Sequence, residues 1–388
     1  MKTCIFPGQG SQTRGMGGEL FDAFPEQTAK ADDILGYSIK ALCLEDPNGE
    51  LDNTRFTQPA LFVVNALSYL KWLQDGNPEP DYLAGHSLGE FNALLAAGAF
   101  DFETGLKLVK KRGELMSQVS GGGMAAVANA MAEEIEATLR DNGLDNVFLA
   151  NFNTPSQIVI SGLKAEIDAA KPLLEKGRVM VFPLKTSGAF HTRFMQEAQH
   201  EFRSFLANFR FDAPRIPVIA NATAQPYAGD AVAETIAVQI ASPVRWSDSI
   251  LHLLDLGTDA EPMAFQEVGH GNVLTRLVKA IKDKTPPRSE RVKPTAEVKV
   301  EAAAEGASPP AQVASNLVES QPSSRRDAKS LVEAWNRQHP VGTKVRSALM
   351  GADILETRTE ATVLFGHRAA VYVKGYEGYF DLEEISAA

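Results

Sequence analysis

A Gly-x-Ser-x-Gly run at residues 85–89, centred on Ser87, predicts a serine nucleophile. An apolar stretch at residues 82–84 precedes the run and a helix-like segment at 90–97 follows it, which is the strand–turn–helix setting of a nucleophile elbow. The flanking glycines permit a sharp turn, and the start of the helix adds free N–H groups and a positive dipole end. A serine in that setting can attack a carbonyl carbon and hold the acyl group. A glycine-rich turn with an incidental serine is the alternative interpretation.

A serine nucleophile needs a base, and two of the seven histidines are considered for that role, His86 and His191. His86 immediately precedes Ser87, and neighbouring side chains on a sharp turn rarely point the same way. His191 follows a run of small residues just after a predicted insert returns to the main domain, which suits a side chain that projects into a cleft. We therefore favour His191 as the base, with a structural histidine as the alternative.

Two further features could complete such a site. The N–H of Leu88 comes directly after the serine, and the glycine-containing loop at residues 6–12 can bring its backbone close to a ligand, so both could supply oxyanion donors. That loop lacks the spacing of a phosphate-binding loop, which excludes nucleotide phosphate there. Lys110, Lys111 and Arg112 form either a solvated helix face or, if the guanidinium turns inward, a bidentate grip on an acyl-chain carboxylate.

The composition is ordinary for a soluble globular protein of 388 residues, with 44% apolar and 22% charged residues. A net charge of −11 argues against nucleic acid and anionic membrane as partners, although a local basic patch could dock an acidic protein. Cys4 and Cys43 offer neither a disulfide framework nor metal-ligand spacing, so we expect a reducing cytoplasmic location and no bound metal. No apolar stretch has the length of a signal-peptide core or a membrane span, and no bound cofactor is expected.

The first part of the chain, residues 1–284, has the pattern of one α/β domain that carries a smaller insert at about residues 123–186. The insert has the predicted order β-α-β-β-α-β, typical of a ferredoxin-like unit, and three glycines at residues 121–123 precede it as a hinge. We expect a cleft between the two parts, where active sites commonly lie.

The remaining chain is predicted to form a linker and a small β domain. Residues 285–330 are rich in Pro, Ala, Ser and Glu, which predicts a flexible, low-complexity linker. Residues 331–388 are predicted to form an antiparallel β domain of SH3-like size, with strands at 341–349, 360–365, 369–373 and 379–382 after a helical turn or two at 330–335. Nothing in this segment suggests catalysis.

Six motifs in one order resemble those of the malonyl-CoA:acyl carrier protein transacylases and the acyltransferase domains of polyketide synthases. The resemblance covers residues 1 to about 282 and is strongest to free-standing acyltransferases that serve polyketide assembly lines in trans. It implies an α/β-hydrolase-like core with a ferredoxin-like insert, in agreement with the element pattern. The motifs lie at residues 6–12, 85–90, 111–113, 151–155, 189–191 and 267–271.

The resemblance also implies a role for each matching residue. Ser87 corresponds to the acylated serine and His191 to its base. The backbone carbonyl of Gln239 corresponds to the group that orients the histidine, which accounts for the lack of an evident acidic triad member. Gln9 and Leu88 correspond to the backbone oxyanion donors.

Two further matches concern the substrate. Arg112 corresponds to the arginine that binds the malonyl carboxylate. Phe190 stands where malonyl-selective members tend to have Phe and methylmalonyl-selective members Ser; a bulky ring would fill the space that an α-methyl group needs, a discrimination of about 1–3 kcal/mol.

The activity implied is ping-pong transfer of malonyl from malonyl-CoA, the substrate, to the phosphopantetheine thiol of an acyl carrier protein. The alternative is a proofreading hydrolase that removes acyl groups from carrier proteins with the same nucleophile and base. The carboxylate-binding Arg112 separates the two, because related hydrolases tend to lack it. An adaptor role for the linker and β domain, docking a synthase, is compatible with the transferase.

Overall fold

The computed structural model describes residues 1–186, 188–229, 231–258, 260–286, 328–347, 354–357, 359–364, 368–372, 379–382 and 385–387. The chain divides into two compact units, Met1–Glu297 and Val298–Ala388. Most of the predicted linker, residues 287–327, lies outside the described residues. Among the helices that are described, none is long and apolar enough to cross a membrane.

The described residues of the first unit form both helices and strands, with several helices in succession in some places. Its elements are β1 (Lys2–Phe6), α1 (Leu20–Ala23), α2 (Pro25–Leu35), α3 (Ile39–Leu44), α4 (Thr54–Gln74), β2 (Tyr82–Gly85), α5 (Gly89–Ala96), α6 (Phe102–Gln118), β3 (Gly122–Ala128), α7 (Ala132–Asp141), β4 (Val147–Thr154), β5 (Gln157–Leu163), α8 (Lys164–Leu174), β6 (Met180–Pro183), a 3-10 turn (Arg193–Met195), α9 (Gln196–Leu206), β7 (Val218–Ile219), α10 (Val232–Gln239), α11 (Trp246–Leu256), β8 (Ala264–Glu267) and α12 (Val273–Lys284).

The core of this unit is a parallel sheet with strand order β7-β2-β1-β8. Its central strands are short apolar runs that are buried on both faces, as parallel strands covered by helices must be. The elbow follows β2, so Ser87 stands at the carboxyl edge of the sheet, where ligands bind in open α/β folds. The long helix α4 packs against α6 and α5 and is almost entirely buried over its first four turns, which explains its weak amphipathic pattern.

The insert has the element order β-α-β-β-α-β that the sequence predicts, and its strands run from residue 122 to 183. The four strands are all antiparallel, in the order β4-β5-β3-β6. A separate apolar cluster that includes Val127, Ile135, Ile160 and Ile167 joins its two helices to the sheet. The insert therefore has a core of its own.

In the described part of the second unit the first element is a helix, α13 (Ala328–Gln338), which is longer than the predicted turn or two and starts inside the predicted linker. In the described residues, two three-stranded antiparallel sheets follow. The predicted strand at 341–349 is described only as Lys344–Ser347. The prediction missed two short strands, at 354–356 and 385–387, because a strand of three residues is too short to show an alternating apolar pattern. The strands are β9 (Lys344–Ser347), β10 (Ile354–Glu356), β11 (Thr362–Leu364), β12 (Arg368–Tyr372), β13 (Tyr379–Asp381) and β14 (Ile385–Ala387). The strand orders of the two sheets are β10-β9-β14 and β11-β12-β13.

Candidate active site

The elbow is a strained turn whose two glycines are required by close packing. Ser87 has a φ of 50°, a left-handed conformation that non-glycine residues rarely adopt and that is found at functional sites. A Cβ on Gly85 would lie 2.0 Å from the backbone carbon of Gly89, and a Cβ on Gly89 would lie 2.0 Å from the carbonyl oxygen of Phe6. Any side chain at either position would push β1, β2 and α5 apart. The spacing of the motif therefore follows from the packing beneath the serine.

Ser87 and His191 lie within hydrogen-bonding distance although 104 residues separate them. The Ser87 Oγ is 2.8 Å from the His191 Nε2. The Nδ1 of the same ring faces two carbonyl oxygens, those of Gln239 at 3.2 Å and Ser242 at 3.1 Å. Carbonyls only accept, so Nδ1 carries the proton and Nε2 presents its lone pair to the serine hydroxyl. Burial, followed by the nearby Arg112 cation, lowers the pKa of His191 to about 3, so the ring is a neutral base at physiological pH.

The loop after β1 lies directly against the elbow. A Cβ on Gly8 would be 2.3 Å from the carbonyl oxygen of His86 and 3.5 Å from the backbone nitrogen of Leu88. Asn65 on α4 holds the loop by donating from Nδ2 to the carbonyl of Pro7 at 2.9 Å. Within the described part of the chain, the N–H groups of Gln9 and Leu88 donate no hydrogen bond. The two groups assigned to the oxyanion are therefore unused and come from adjacent stretches of backbone.

Arg112 is fully buried, with 0% of its surface exposed, and its guanidinium reaches the nucleophile. Its Nη2 donates to the Ser87 Oγ at 3.1 Å and to the Gln239 Oε1 at 2.9 Å, while its Nη1 donates to the Gln58 Oε1 at 2.8 Å. Among the described residues its Nε is buried without a hydrogen-bond partner. An unsatisfied buried donor costs about 1–3 kcal/mol, which a bound acceptor would recover.

The neighbouring lysines on α6 point elsewhere. The Nζ of Lys110 donates to the carbonyl of Ile34 at 2.9 Å, and the Nζ of Lys111 lies 3.9 Å from the Glu201 carboxylate. The sequence left two interpretations of this basic cluster. The inward-turned guanidinium describes Arg112, whereas the helix-surface position describes the two lysines.

A cavity of about 510 Å³ separates the elbow from the sheet of the insert. Its walls come mainly from the β1 loop, the insert strands and the first turns of α12, and they combine amide groups and aliphatic side chains with the charged side chains of Asp52 and Lys185. Such a mixture is typical of small-molecule sites. The lining residues include Gln9, Gln12, His86, Ala126, Asn151, Asn153, Val159, Leu184, Lys185 and Leu274.

Residues 3–314 match the family described as the acyl transferase domain. The polyketide biosynthesis malonyl CoA-acyl carrier protein transacylase BaeC of Bacillus velezensis is 55% identical over 287 residues, which is 74% of this chain and 98% of that protein. The chain belongs to the acyl transferase family, among the malonyl-CoA–acyl carrier protein transacylases. The match spans every motif named above.

Solved structures of the family agree with this fold. The crystal structure of a malonyl CoA-acyl carrier protein transacylase from Burkholderia pseudomallei is 57% identical and superposes with a TM-score of 0.73, covering 74% of this chain and 99% of that one. A malonyl-transacylase in complex with its type II polyketide synthase acyl-carrier protein is 33% identical with a TM-score of 0.68, covering 73% and 93%. The matched share is close to the first unit in length.

Several polar residues of this acyltransferase site were missed by sequence reasoning. Asn221 accepts from the Ser87 N–H at 2.7 Å through its Oδ1 and donates to the carbonyl of Gly85 at 2.7 Å, so its side chain bridges the elbow. Its own N–H donates to the buried carboxylate of Glu90 at 2.8 Å. Ser242 supplies the second carbonyl facing the histidine. Only Glu90 had a sequence signal, as a charged residue in an otherwise apolar helix.

Phe190 and His86 occupy supporting positions. The Phe190 ring is buried in the core, and a Cβ on Gly188 would lie 2.3 Å from it; its carbonyl accepts from the Ser161 hydroxyl at 2.8 Å. His86, set aside as the base, lies with its Nε2 2.8 Å from the Oδ1 of Asn153 across the cavity. This hydrogen bond links the elbow to the insert, so the His86 ring faces Asn153 and not the nucleophile.

Proposed function

We propose that this protein transfers a malonyl group from malonyl-CoA to the phosphopantetheine thiol of an acyl carrier protein, through an acyl-Ser87 intermediate, in the service of a polyketide synthase. The observation that carries the proposal is the buried Arg112 guanidinium 3.1 Å from the Ser87 Oγ, with an unpaired Nε. A fixed cation beside the nucleophile suits an acyl group that ends in a carboxylate. The names of the relatives support the same activity and the polyketide setting.

The first half-reaction acylates the enzyme. The Ser87 Oγ attacks the thioester carbon while its proton passes to the His191 Nε2, and the N–H groups of Gln9 and Leu88 hold the oxyanion. When the carbon–sulfur bond breaks, the His191 proton passes to the sulfur and coenzyme A leaves as the thiol. The carbonyls of Gln239 and Ser242 keep the ring in the required tautomer and stabilise the transient imidazolium.

The second half-reaction reverses the first with another thiol. The phosphopantetheine thiol of the carrier gives its proton to His191 and attacks the acyl carbon. The Ser87 Oγ leaves, takes that proton back, and the malonyl thioester departs with the carrier. Neither half-reaction uses a bound cofactor or metal.

Selection of malonyl is assigned to two residues. Arg112 pairs with the malonyl carboxylate through donors that its present partners do not use. Phe190, the residue before His191, is assigned to favouring malonyl over methylmalonyl, because a bulky ring at that position would fill the space that an α-methyl group needs. The hydrolase alternative makes no use of a buried guanidinium next to the serine, so Arg112 favours the transferase.

The finer architecture is assigned in the same way. The parallel sheet with its elbow supports an α/β-hydrolase-like core, and the strand order β4-β5-β3-β6 with two helices supports a ferredoxin-like insert. We assign residues 1–284 to the acyltransferase domain, 285–330 to a linker and 331–388 to a small SH3-like β domain of unknown role. Two buried free thiols, Cys4 and Cys43, are consistent with a reducing cytoplasmic location.

Intact-mass spectrometry after mixing with malonyl-CoA, methylmalonyl-CoA or acetyl-CoA tests the proposal. We expect a malonyl adduct on Ser87 that a phosphopantetheinylated carrier protein removes as malonyl-carrier. Release of free malonate instead, with the carrier left unloaded, would favour the hydrolase. Faster loading of acetyl than of malonyl would contradict the role of Arg112.

A further inference from the structure

A carboxylate that the reaction does not use lies directly behind the site. Glu90, the second residue of α5, has 0% of its surface exposed. Its carboxylate accepts from the Tyr227 hydroxyl, from the Asn221 N–H at 2.8 Å and from the Gln239 Nε2 at 3.2 Å. Three donors on one buried carboxylate form a built environment for a negative charge, and such groups are costly unless paired in this way.

The link from Glu90 to the site runs through the side-chain amide of Gln239. The Nε2 donates to the Glu90 Oε2 and to the carbonyl of Ser87 at 2.8 Å, while the Oε1 accepts from the Arg112 Nη2 at 2.9 Å. A carboxylate can only accept and a guanidinium can only donate. Glu90 and Arg112, at the two ends of this series of hydrogen bonds, therefore require the same orientation of the Gln239 amide. A flipped amide would place its N–H groups against those of Arg112 and its oxygen against the oxygens of Glu90.

The orientation of that amide matters because Gln239 is, among the residues that the structure describes, one of two side-chain amides that hold the guanidinium. Gln58 accepts from Nη1 and Gln239 from Nη2, and these bonds leave Nε free of protein partners among the described residues. With Gln239 flipped, Nη2 would lose its acceptor beside Ser87. The guanidinium would then turn away from the position that leaves its free donor for an acyl carboxylate.

We propose that Glu90 is a positioning residue for acyl-group selection, whose carboxylate fixes the Gln239 amide and through it the donors that Arg112 presents beside Ser87. This inference rests on the proposed malonyl transfer. Glu90 touches neither substrate nor the reacting atoms, so its removal should change the preference between acyl groups more than it changes acylation as such.

The test compares initial rates of Ser87 loading with malonyl-CoA and with acetyl-CoA, measured by intact mass on the full-length protein. Glu90→Gln keeps the shape but supplies a group that can donate as well as accept, so the amide of Gln239 is no longer fixed. We expect the malonyl-to-acetyl rate ratio to fall about ten-fold, the scale of coupling within one hydrogen-bond network. Glu234→Gln, the same change at an exposed position of α10, should leave the ratio unchanged.

The decisive comparison repeats Glu90→Gln in an Arg112→Ala background. If Glu90 acts through Arg112, the ratio does not change further in that background. An equal fall in both backgrounds, or an equal loss of malonyl and acetyl loading in the single variant, would overturn the proposal.

If Glu90→Gln does not fold, Gln239→Leu breaks the same link while keeping the backbone carbonyl on His191, and an unchanged ratio there also overturns it. A wild-type protein that takes up no malonyl would instead refute the proposed function itself.

Discussion

The core and the insert of the first unit contribute to the site in different ways. The core supplies the groups that would react and the buried charges of Arg112 and Glu90, on turns at the carboxyl edge of its parallel sheet or on helices packed against it, and Ser87 has a strained backbone. The insert supplies neutral wall residues such as Ala126, Asn153 and Val159 and keeps a separate apolar core. The reacting groups thus lie on closely packed elements of the core, whereas the shape of the cavity depends on the insert. Changes in the core should affect the rate of acylation, and changes in the insert should affect substrate fit.

The largest expected effect is in the core. Ser87→Ala should abolish the acyl-enzyme, because no other hydroxyl accepts the Arg112 hydrogen bond and faces His191 among the described contacts. Intact mass after incubation with malonyl-CoA measures the adduct, with unfolding temperature as the control for folding. An adduct that persists in the variant would place the nucleophile elsewhere.

The next effect separates charge recognition from chemistry within the core. Arg112→Ala should slow malonyl loading by about 10- to 100-fold relative to acetyl loading, since a charged hydrogen bond is worth about 1.5–3 kcal/mol and acetyl has no carboxylate to pair. Lys111→Ala removes the adjacent cation from the helix surface and serves as the matched control. Equal losses for malonyl and acetyl would assign Arg112 a structural role.

A smaller effect is expected from the insert. Ala126→Leu extends a side chain of β3 into the cavity and should raise the KM for malonyl-CoA about ten-fold while changing kcat much less. Ala169→Leu, on the exposed face of α8, is the control for adding the same bulk to the insert. A fall in kcat with an unchanged KM would show that the insert takes part in the chemistry and would remove the contrast between the two modules.

The pH dependence distinguishes two buried groups of the core. Burial lowers the pKa of His191 from 6.5 to about 3, so the base stays neutral and acetyl loading should not fall as pH drops through 6.5. Burial raises the pKa of Glu90 from 4.5 to about 7, so its carboxylate is ionised above that pH and protonated below it. Malonyl loading should therefore decrease several-fold below about pH 7. Rates of both loadings across this range give the test, and acetyl loading that halves near pH 6.5 would contradict the neutral base.

The smallest effect is expected from the second unit. A protein ending at Lys284 should load malonyl at the rate of the full chain, because every site residue precedes that position. In addition, the relative named as a malonyl CoA-acyl carrier protein transacylase aligns with this chain over 287 residues, which is 98% of that relative's length. Transfer to particular carrier proteins is the property that should change. A truncated protein that folds but cannot acylate Ser87 would show that the second unit completes the site.

The sequence alone was sufficient where local chemistry decides the outcome. The elbow follows from residues 85–89, since glycine spacing and the switch from strand to helix pattern are local signals, and the element order of the insert follows from its alternating periodicities. The extent of α13 was less accurate, because the apolar pattern at 330–335 covers only the middle of the helix at 328–338. The family resemblance likewise came from short motifs in order.

Only the tertiary structure decided which of these groups meet. Ser87 lies 104 residues from His191, 25 from Arg112 and 134 from Asn221, and no periodicity in the chain connects them. Three features of the site depend on helices packed around one sheet edge. They are the inward turn of Arg112, the two carbonyls that stand behind the histidine in place of an acid, and the carboxylate of Glu90 that orients Gln239. Hydrogen-bond direction in a buried network is set by all its members at once, so it becomes visible only when the donors and acceptors are in place.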